Sequence, residues 1–461
     1  MRIAILGQGA REHAIAWRLS QEKDQQGAPH EIFCLPGNDG MTYQHALACH
    51  PIAIDDSHAL CQWIKTHAID LVVIGPEAPL ACGISDALRE RGVSVFAPSQ
   101  AAARLETSKI WMKQLCAQYN IPTARAHRCL SHKEACHALE TMPSPWVIKA
   151  DGLASGKGVF ICHDKQEARH TLHRLMKERA LGKAGQHVVI EEFLEGDEVS
   201  LFVMTDGQTI KPLGMCFDYK RREDGDKGPQ TGGMGAFCSY TIDTQNQEIQ
   251  TRAINDIITP TIRAMAQQGC PYSGVLYGGL IVHRETKACH VLEFNARFGD
   301  PECQVLMPRL QGQLAHAMHA CAHHNLHHIT EQDLSLDHSA TVGVVLVDKD
   351  YPSPSPSSQR HPITMPSRAS HEGVLFHANT RIEHETLVAG TGRVLTAVGH
   401  ADTLEQAREK AYAIAKHIQW QQCSYRTDIA QQTRLNNKID VTPSHAPTNV
   451  ASTNVAPANV A

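Results

Sequence analysis

The sequence predicts a multidomain chain of α/β and α+β class: an N-terminal open parallel sheet, a central unit with a hairpin lid, and a small C-terminal α+β domain. Three observations predict it. Residues 1–105 alternate short, wholly apolar runs with segments of helical period, the pattern of a parallel sheet covered on both faces. Residues 146–162 read strand, glycine-rich loop, strand, which makes a hairpin. From about residue 338 strand-like runs and one capped helix recur. At 461 residues there is room for about two to four domains. The expected divisions are 1–105, 106–330 (lid about 124–195), 331–434, and a tail over 435–461.

Bulk composition narrows the function classes. Hydrophobic residues make up 42% and charged residues 20%, ordinary for a soluble globular protein. A net charge of −5 argues against a nucleic-acid surface and against polybasic attraction to membranes. Met1-Arg2 runs directly into Ile3–Leu6 without a signal-peptide pattern, so a cytoplasmic protein is expected. The 15 cysteines lack CxxC pairs and read as reduced thiols. His316–His328 reads as a helix with a histidine-rich exposed face, not a metal tract, because no carboxylate accompanies it.

In order, strands are expected at Ile3–Leu6, Glu31–Leu35, Leu71–Ile74 and Val93–Phe96, with helices at Arg11–Gln21, Ser57–His67 and Ala81–Arg91. The first turn, Gly7-Gln8-Gly9-Ala10-Arg11-Glu12, has Glu12 where a dinucleotide fingerprint needs a third glycine. Leu35-Pro36 stands where that fingerprint needs an acid, which disfavours a nicotinamide oxidoreductase. The glycines still open backbone N–H groups to an anion, and Arg11 and His13 would help hold a phosphate. Gly75–Leu80 lies beyond another strand and should face the same crevice.

Residues 106–145 are mainly helical, Thr107–Tyr119 and Ser131–Thr141, with Lys109 in the first turn. The hairpin then carries Lys149 on its first strand and Gly152, Gly156, Lys157 and Gly158 in its loop. It is no Walker motif, because the spacing is short, Gly158 replaces the Ser/Thr, and the loop returns to a strand. Glycine lets backbone approach phosphates and lysine supplies point charge. After helix Lys165–Ala180, strand His187–Phe193 exits through Glu191, Glu192, Glu195, Asp197 and Glu198. Backbone at such an exit can read a planar base, and an acid beyond it can take ribose hydroxyls. Strand Val199–Met204 follows, and Asp218–Phe237 reads as one long functional loop.

Helix Ile249–Gln268 and strand Tyr272–Val282 lead into Val291–Gln304. Glu293 and Asn295 stand two apart on a strand and so share a face. Two adjacent oxygen donors suit a hard cation such as magnesium. Arg297 and Asp300 follow on a Phe-Gly-Asp-Pro turn, and a fork-shaped cation there suits carboxylate or phosphate handling. The C-terminal module has strands Ala340–Leu346 and Gly392–Val398, a Pro/Ser-rich loop Tyr351–Ser358, and helix Thr403–His417 with Asp402 and Glu405 spaced as a capping box. The tail ends in three pentads over 447–461 and is expected to be disordered, with no catalytic role.

The order of these motifs resembles the ATP-grasp superfamily and, within it, the phosphoribosylamine–glycine ligase (glycinamide ribonucleotide synthetase) family. The matching pieces run from Gly7–Ala14, Pro36–Asn38, Gly75–Leu80 and Leu105–Lys109 through Lys149–Gly158, Glu191–Ser200, Lys220-Arg221 and Asp224–Pro229. They continue through Thr231–Gly235, Gly274–Tyr277, Glu293–Gln304, Gly392–Leu395 and Tyr425–Ile429. Ala10, Tyr219, Gln230, Cys303 and Ala430 depart from the family pattern beside the charged positions. The resemblance implies a pre-ATP-grasp N-terminal sheet, an ATP-grasp core and ligation of glycine to 5-phosphoribosylamine through glycyl phosphate, with ATP going to ADP. It implies phosphate contacts from Lys109, Lys149, Gly156, Lys157 and Gly158, and further ATP contacts from Glu191 and Glu192. Adenine would meet Phe193 and Leu194, and ribose would meet Glu198. Mg2+ or Mn2+ would sit on Glu293 and Asn295. Arg297 would steady glycine and the acyl phosphate, Asp300 would orient the amine, and Gly9, Arg11, Glu12, His13, Asp218 and Lys220 would bind substrate. A monomer acting on small molecules is expected. The rivals are another ATP-grasp ligase, a nicotinamide oxidoreductase and a non-catalytic nucleotide-binding module.

Overall fold

In the computed structural model, which describes residues 1–24, 26–154, 156–353, 360–365 and 373–431, the strands Arg2–Gly7, Glu31–Pro36, Ala48–Cys49, Leu71–Ile74 and Val95–Phe96 form one parallel sheet. Its spatial order is third, second, first, fourth, fifth, so the winding reverses beside the first strand. The carboxyl ends of the first and fourth strands therefore open on one crevice, where such sheets bind ligands. Gly7–Arg11 and Gly75–Glu77 follow those two ends. The strand Ala48–Cys49 is too short to show a pattern in sequence.

The lid is a separate antiparallel sheet of Ala126–Cys129, Val188–Glu192, Trp146–Ala150 and Val159–Cys162, in that spatial order. Helices His132–Thr141 and Lys165–Met176 pack on it. Leu139, Trp146, Ile148, Leu172 and Ile190 belong to a core of its own. Truncating any of them to alanine would cost about 2–5 kcal/mol.

Nine further strands build an antiparallel sheet. Its order is Cys289–Asn295, Gly274–Val282, Asp197–Thr205, Ile210–Asp218, Gly235–Ser239, Ala340–Asp348, Arg393–Ala401 and Gly373–His377, with Cys423–Ser424 pairing onto Ala340–Asp348. The C-terminal strands Ala340–Asp348, Arg393–Ala401, Gly373–His377 and Cys423–Ser424 thus extend the central sheet, while His361–Pro362, Thr386–Ala389 and Thr380–Glu383 form a small antiparallel sheet of their own. Three expectations change. Residues 218–237 are not one loop: Arg221–Glu223 and Lys227–Gln230 pair as a hairpin. Its acids are bound from the far end of the chain, Asp226 by Arg426 Nη1 at 2.9 Å and Asp224 by the Thr427 N–H at 2.9 Å. The helix expected over 249–268 is interrupted by a π turn at Ile254–Ile258, because Pro260 has no N–H for the regular ladder. The cap of helix Leu404–His417 is Thr403, whose Oγ1 accepts from the Gln406 N–H at 3.3 Å. His316, His323, His324, His327 and His328 are exposed and His319 half-buried, on and just after helix Leu314–Ala322. The Pro/Ser-rich loop from Pro354 onward and the repeat tail lie outside the described residues.

Candidate active site

The strand Cys289–Asn295 pairs with Gly274–Val282, with Gly279 opposite Glu293 and Tyr277 opposite Asn295. The register shifts between Gly279 and Leu280 and leaves Leu292 as an extra residue. Its carbonyl accepts from Lys149 Nζ at 2.8 Å, so the bulge ties the strand to the lid. Glu293 and Asn295 line one cavity. Burial alone would raise the Glu293 carboxyl, but Lys109, Lys220, Lys149 and Arg297 together hold it below its ordinary value. It is a carboxylate at neutral pH. Among the described residues no group of three or more His, Cys, Asp or Glu forms a ready-made metal cage. Two hard oxygens fit a divalent ion that completes its shell with water and phosphate oxygens, the habit of magnesium-like ions.

Arg297 is clamped. Its Nε lies 3.0 Å from Glu77 Oε2 and its Nη2 2.8 Å from Glu106 Oε1. Nη2 also donates to Asn295 Oδ1 at 3.3 Å, so the arginine orients the amide beside Glu293. Glu106 accepts from the Ala296 N–H at 2.8 Å as well. Despite its own burial, Arg297 is held charged by Glu106, Glu77 and Asp300. Asp300 accepts from Gln304 Nε2 at 2.7 Å and pairs with Arg393 Nη2 at 3.1 Å. Burial would raise its carboxyl, but Arg393 and Arg11 hold it below the usual range. Arg393 Nη1 also donates to the carbonyls of Asp300 at 2.6 Å and Gly232 at 2.8 Å. A C-terminal strand thereby braces the turn that carries Asp300. At Gly233 φ is +116°, and a Cβ there would stand 2.4 Å from Pro301 Cδ, so this turn requires glycine.

Lid residues Gly152, Gly156 and Gly158 line the same cavity, as does Lys109. Asp151 Oδ1 accepts from Ser108 Oγ and from the Ile110 N–H, each at 3.0 Å. The lid base is thus fastened to the helix start that presents Lys109. Lys149 is buried, 3.0 Å from Glu191 Oε2, and Lys113 approaches the other oxygen of Glu191 at 3.2 Å. Asp218 and Lys220 line the cavity, with Lys220 3.0 Å from Glu198 and 3.5 Å from Asp218. Burial lowers the Lys220 ammonium, but those two acids outweigh it and keep it charged.

Other expected residues stand elsewhere. Glu192 alternates to the face opposite Glu191 and is taken by Arg125, whose Nε lies 2.7 Å away. Phe193 is exposed, Leu194 is half-buried, and neither lines the cavity. Lys157 is exposed at the lid tip, outside the lining. At the first turn the expected anion cradle is filled from within: Glu12 accepts the Gly9 N–H at 2.7 Å and pairs with Arg11 Nε at 2.6 Å. A Cβ on Gly7 or Gly75 would stand 2.4 or 2.1 Å from the Glu12 side chain, so both glycines make room for it. Arg11 still lines the cavity. The phosphate-holding role expected of His13 is corrected. It is fully buried, accepts the His377 N–H on Nδ1 at 2.9 Å, and faces His45 Nδ1 at 2.7 Å. Burial first, then His377 and His45, push it well below the usual histidine range, so it is neutral.

The lining holds six carboxylates, Glu77, Glu106, Asp218, Glu293, Asp300 and Glu302, and five cationic side chains, Arg11, Lys109, Lys220, Arg297 and Arg393. A near-balanced cavity accepts a polyphosphate only with added positive charge, which the oxygen pair is suited to hold. Sequence reasoning assigned no role to Glu106, Asp151, Glu302 or Arg393. Each sits inside a motif, Leu105–Lys109, Lys149–Gly158, Glu293–Gln304 or Gly392–Leu395, and an unexplained charge inside such a motif was the available signal.

The family model described as phosphoribosylglycinamide synthetase, N domain, matches residues 1–106. The ATP-grasp (A) domain model of that family matches 107–303, and its C domain model matches 341–432. The chain is 40% identical over 432 residues to the phosphoribosylamine–glycine ligase of Brucella melitensis, covering 93% of this chain and 97% of that one. It is 41% identical over 434 residues to the protein of the same description from Mesorhizobium japonicum, covering 94% and 98%. The crystal structure of phosphoribosylamine–glycine ligase from Thermotoga maritima superposes with a TM-score of 0.77 at 32% identity, covering 93% of this chain and 100% of that one. A biotin carboxylase from Campylobacter jejuni, at 13% identity and a TM-score of 0.65, shares the fold.

Proposed function

The chain belongs to the phosphoribosylglycinamide synthetase family, and from that premise we propose how its cavity joins glycine to 5-phosphoribosylamine while ATP goes to ADP and phosphate. The reaction is an ATP-dependent ligation in purine biosynthesis that gives glycinamide ribonucleotide. One observation carries the assignment to this cavity: the lid glycines, Lys109, the oxygen pair Glu293/Asn295 and the clamped Arg297 all line a single space.

A carboxylate is a poor electrophile at neutral pH. Phosphorylation of glycine creates a leaving group, and the amine then displaces phosphate from glycyl phosphate. Such transfers need positioning and charge neutralisation more than covalent chemistry. Lys109, Lys149 and Lys157 serve the ATP phosphates, with the lid backbone at Gly156 and Gly158. Phe193 and Leu194 meet adenine, and Glu198 meets ribose. Glu293 and Asn295 hold magnesium or manganese, which when bound neutralises phosphate charge. Arg297, fixed by Glu77 and Glu106, orients the glycine carboxylate. Asp300, with Asp218 and Lys220, orients the amine substrate, and Arg11 faces its phosphate. The lid keeps water from the acyl phosphate. A monomer acting in the cytoplasm is proposed. The test is isotope transfer: glycine labelled with 18O in its carboxylate should pass one label to inorganic phosphate. Unlabelled phosphate would contradict the acyl phosphate route.

A further inference from the structure

Glu302 lines the cavity at the start of the short helix Glu302–Leu306, and the mechanism above leaves it unused. It is 3% exposed. Ser200 Oγ donates to its Oε1 at 3.3 Å, and the same hydroxyl lies 2.9 Å from Tyr277 OH. A chain of hydroxyls therefore ends on this carboxyl. Four of the cations in the lining are committed to other acids: Arg11 to Glu12, Lys220 to Glu198 and Asp218, Arg297 to Glu77 and Glu106, and Arg393 to Asp300. Among the described residues none forms an ion pair with Glu302. A buried carboxyl with hydroxyl partners and no fixed counter-charge is poised to change its protonation state.

The ligase reaction has one step that releases a proton from the amine. We propose that Glu302 is the proton acceptor for attack of the amine on the acyl phosphate, an inference that rests on the ligase reading above. In that step the amine nitrogen forms the C–N bond and loses its proton to the Glu302 carboxylate. The C–O bond to phosphorus breaks, and phosphate leaves with the electron pair. The neutral Glu302 returns its proton to solvent as products depart. The surroundings suit that exchange. Burial raises the Glu302 carboxyl to about 7, Asp218 and Asp300 add to it, and Lys220 opposes them. The other ionisable groups facing it are Tyr277 and Cys216 on neighbouring strands and Arg297 and Cys303 on its own segment. A base near the working pH is the efficient one.

The test separates activation of glycine from transfer to the amine. Hydroxylamine, a small α-nucleophile unprotonated at neutral pH, is reactive enough to trap glycyl phosphate as the hydroxamate with its proton passing to water and no enzymic base. In Glu302→Gln, amide formation with phosphoribosylamine should fall about 100-fold, while ATP-dependent glycine hydroxamate formation stays within about fivefold. Glu302→Asp should lie between. Equal losses in both reactions, or undiminished amide formation, would overturn the proposal. If Glu302→Gln does not fold, the wild-type pH profiles decide: amide formation should show an acid limb near pH 7 that hydroxamate formation lacks, and superimposable profiles would overturn it. A wild-type protein that makes no hydroxamate from glycine and ATP would instead defeat the ligase reading.

Discussion

Glu106→Gln probes whether the clamp on Arg297 matters. The side chain is buried, its Oε1 is 2.8 Å from Arg297 Nη2, and its Oε2 accepts the Ala296 N–H at 2.8 Å. Glutamine keeps the shape and one acceptor but turns an NH2 toward one of those two donors. Breaking a buried ion pair costs about 3–5 kcal/mol. Two features reduce that figure here. Glu77 remains 3.0 Å from Arg297, and burial already holds the Glu106 carboxyl above its ordinary value, so charge removal relieves part of a penalty. A loss of about 2 kcal/mol in urea unfolding at pH 7.5 is predicted. An arginine freed from one of two tethers also misplaces its ligand, so kcat/KM for glycine in ADP release should fall about 100-fold. Unchanged stability together with unchanged glycine kinetics would refute the clamp.

Other perturbations follow from the same geometry. Arg393→Lys replaces a fork that spans two carbonyls and a carboxylate by a point charge, and turnover should drop about 10- to 100-fold with the fold retained by circular dichroism. Glu293→Ala removes the charged member of the proposed metal-binding pair amid four cations, and ADP release should fall at least about 1,000-fold, whereas a non-catalytic binding module predicts no change. His377 is fully buried and pushed down to about 3 by burial and His45. Below the unfolded value of about 6.5 the unfolded chain binds the extra proton, so stability is lost as pH falls from 6.5. Glu302 pulls the other way over that range, so the comparison is with His377→Asn. Its stability change between pH 7.5 and 5.5 should be shallower than wild type by about 1.4 kcal/mol, and parallel curves would show that the imidazole is not buried neutral.

What was legible in sequence was local. The spacing of Glu293 and Asn295 put both on one face of a strand because that periodicity is backbone geometry. The glycines of 152–158 marked a hairpin because they return directly to an apolar run. Non-local partners were not legible. Arg393 reaches Asp300 from 93 residues away, and Arg426 explains Asp226 from 200 away. His13 reads as a phosphate-holding side chain at a helix start until the strand Gly373–His377 packs on it. Glu191 and Glu192 are equivalent in composition, and only the pairing of Val188–Glu192 with Ala126–Cys129 and Trp146–Ala150 decides which one meets Lys149.

The proposed reaction couples ATP cleavage to glycine activation and amine attack. Its most direct measurement is ADP release with each substrate omitted in turn. Sustained release is expected only with glycine and phosphoribosylamine both present. Release at the same rate without glycine would contradict it.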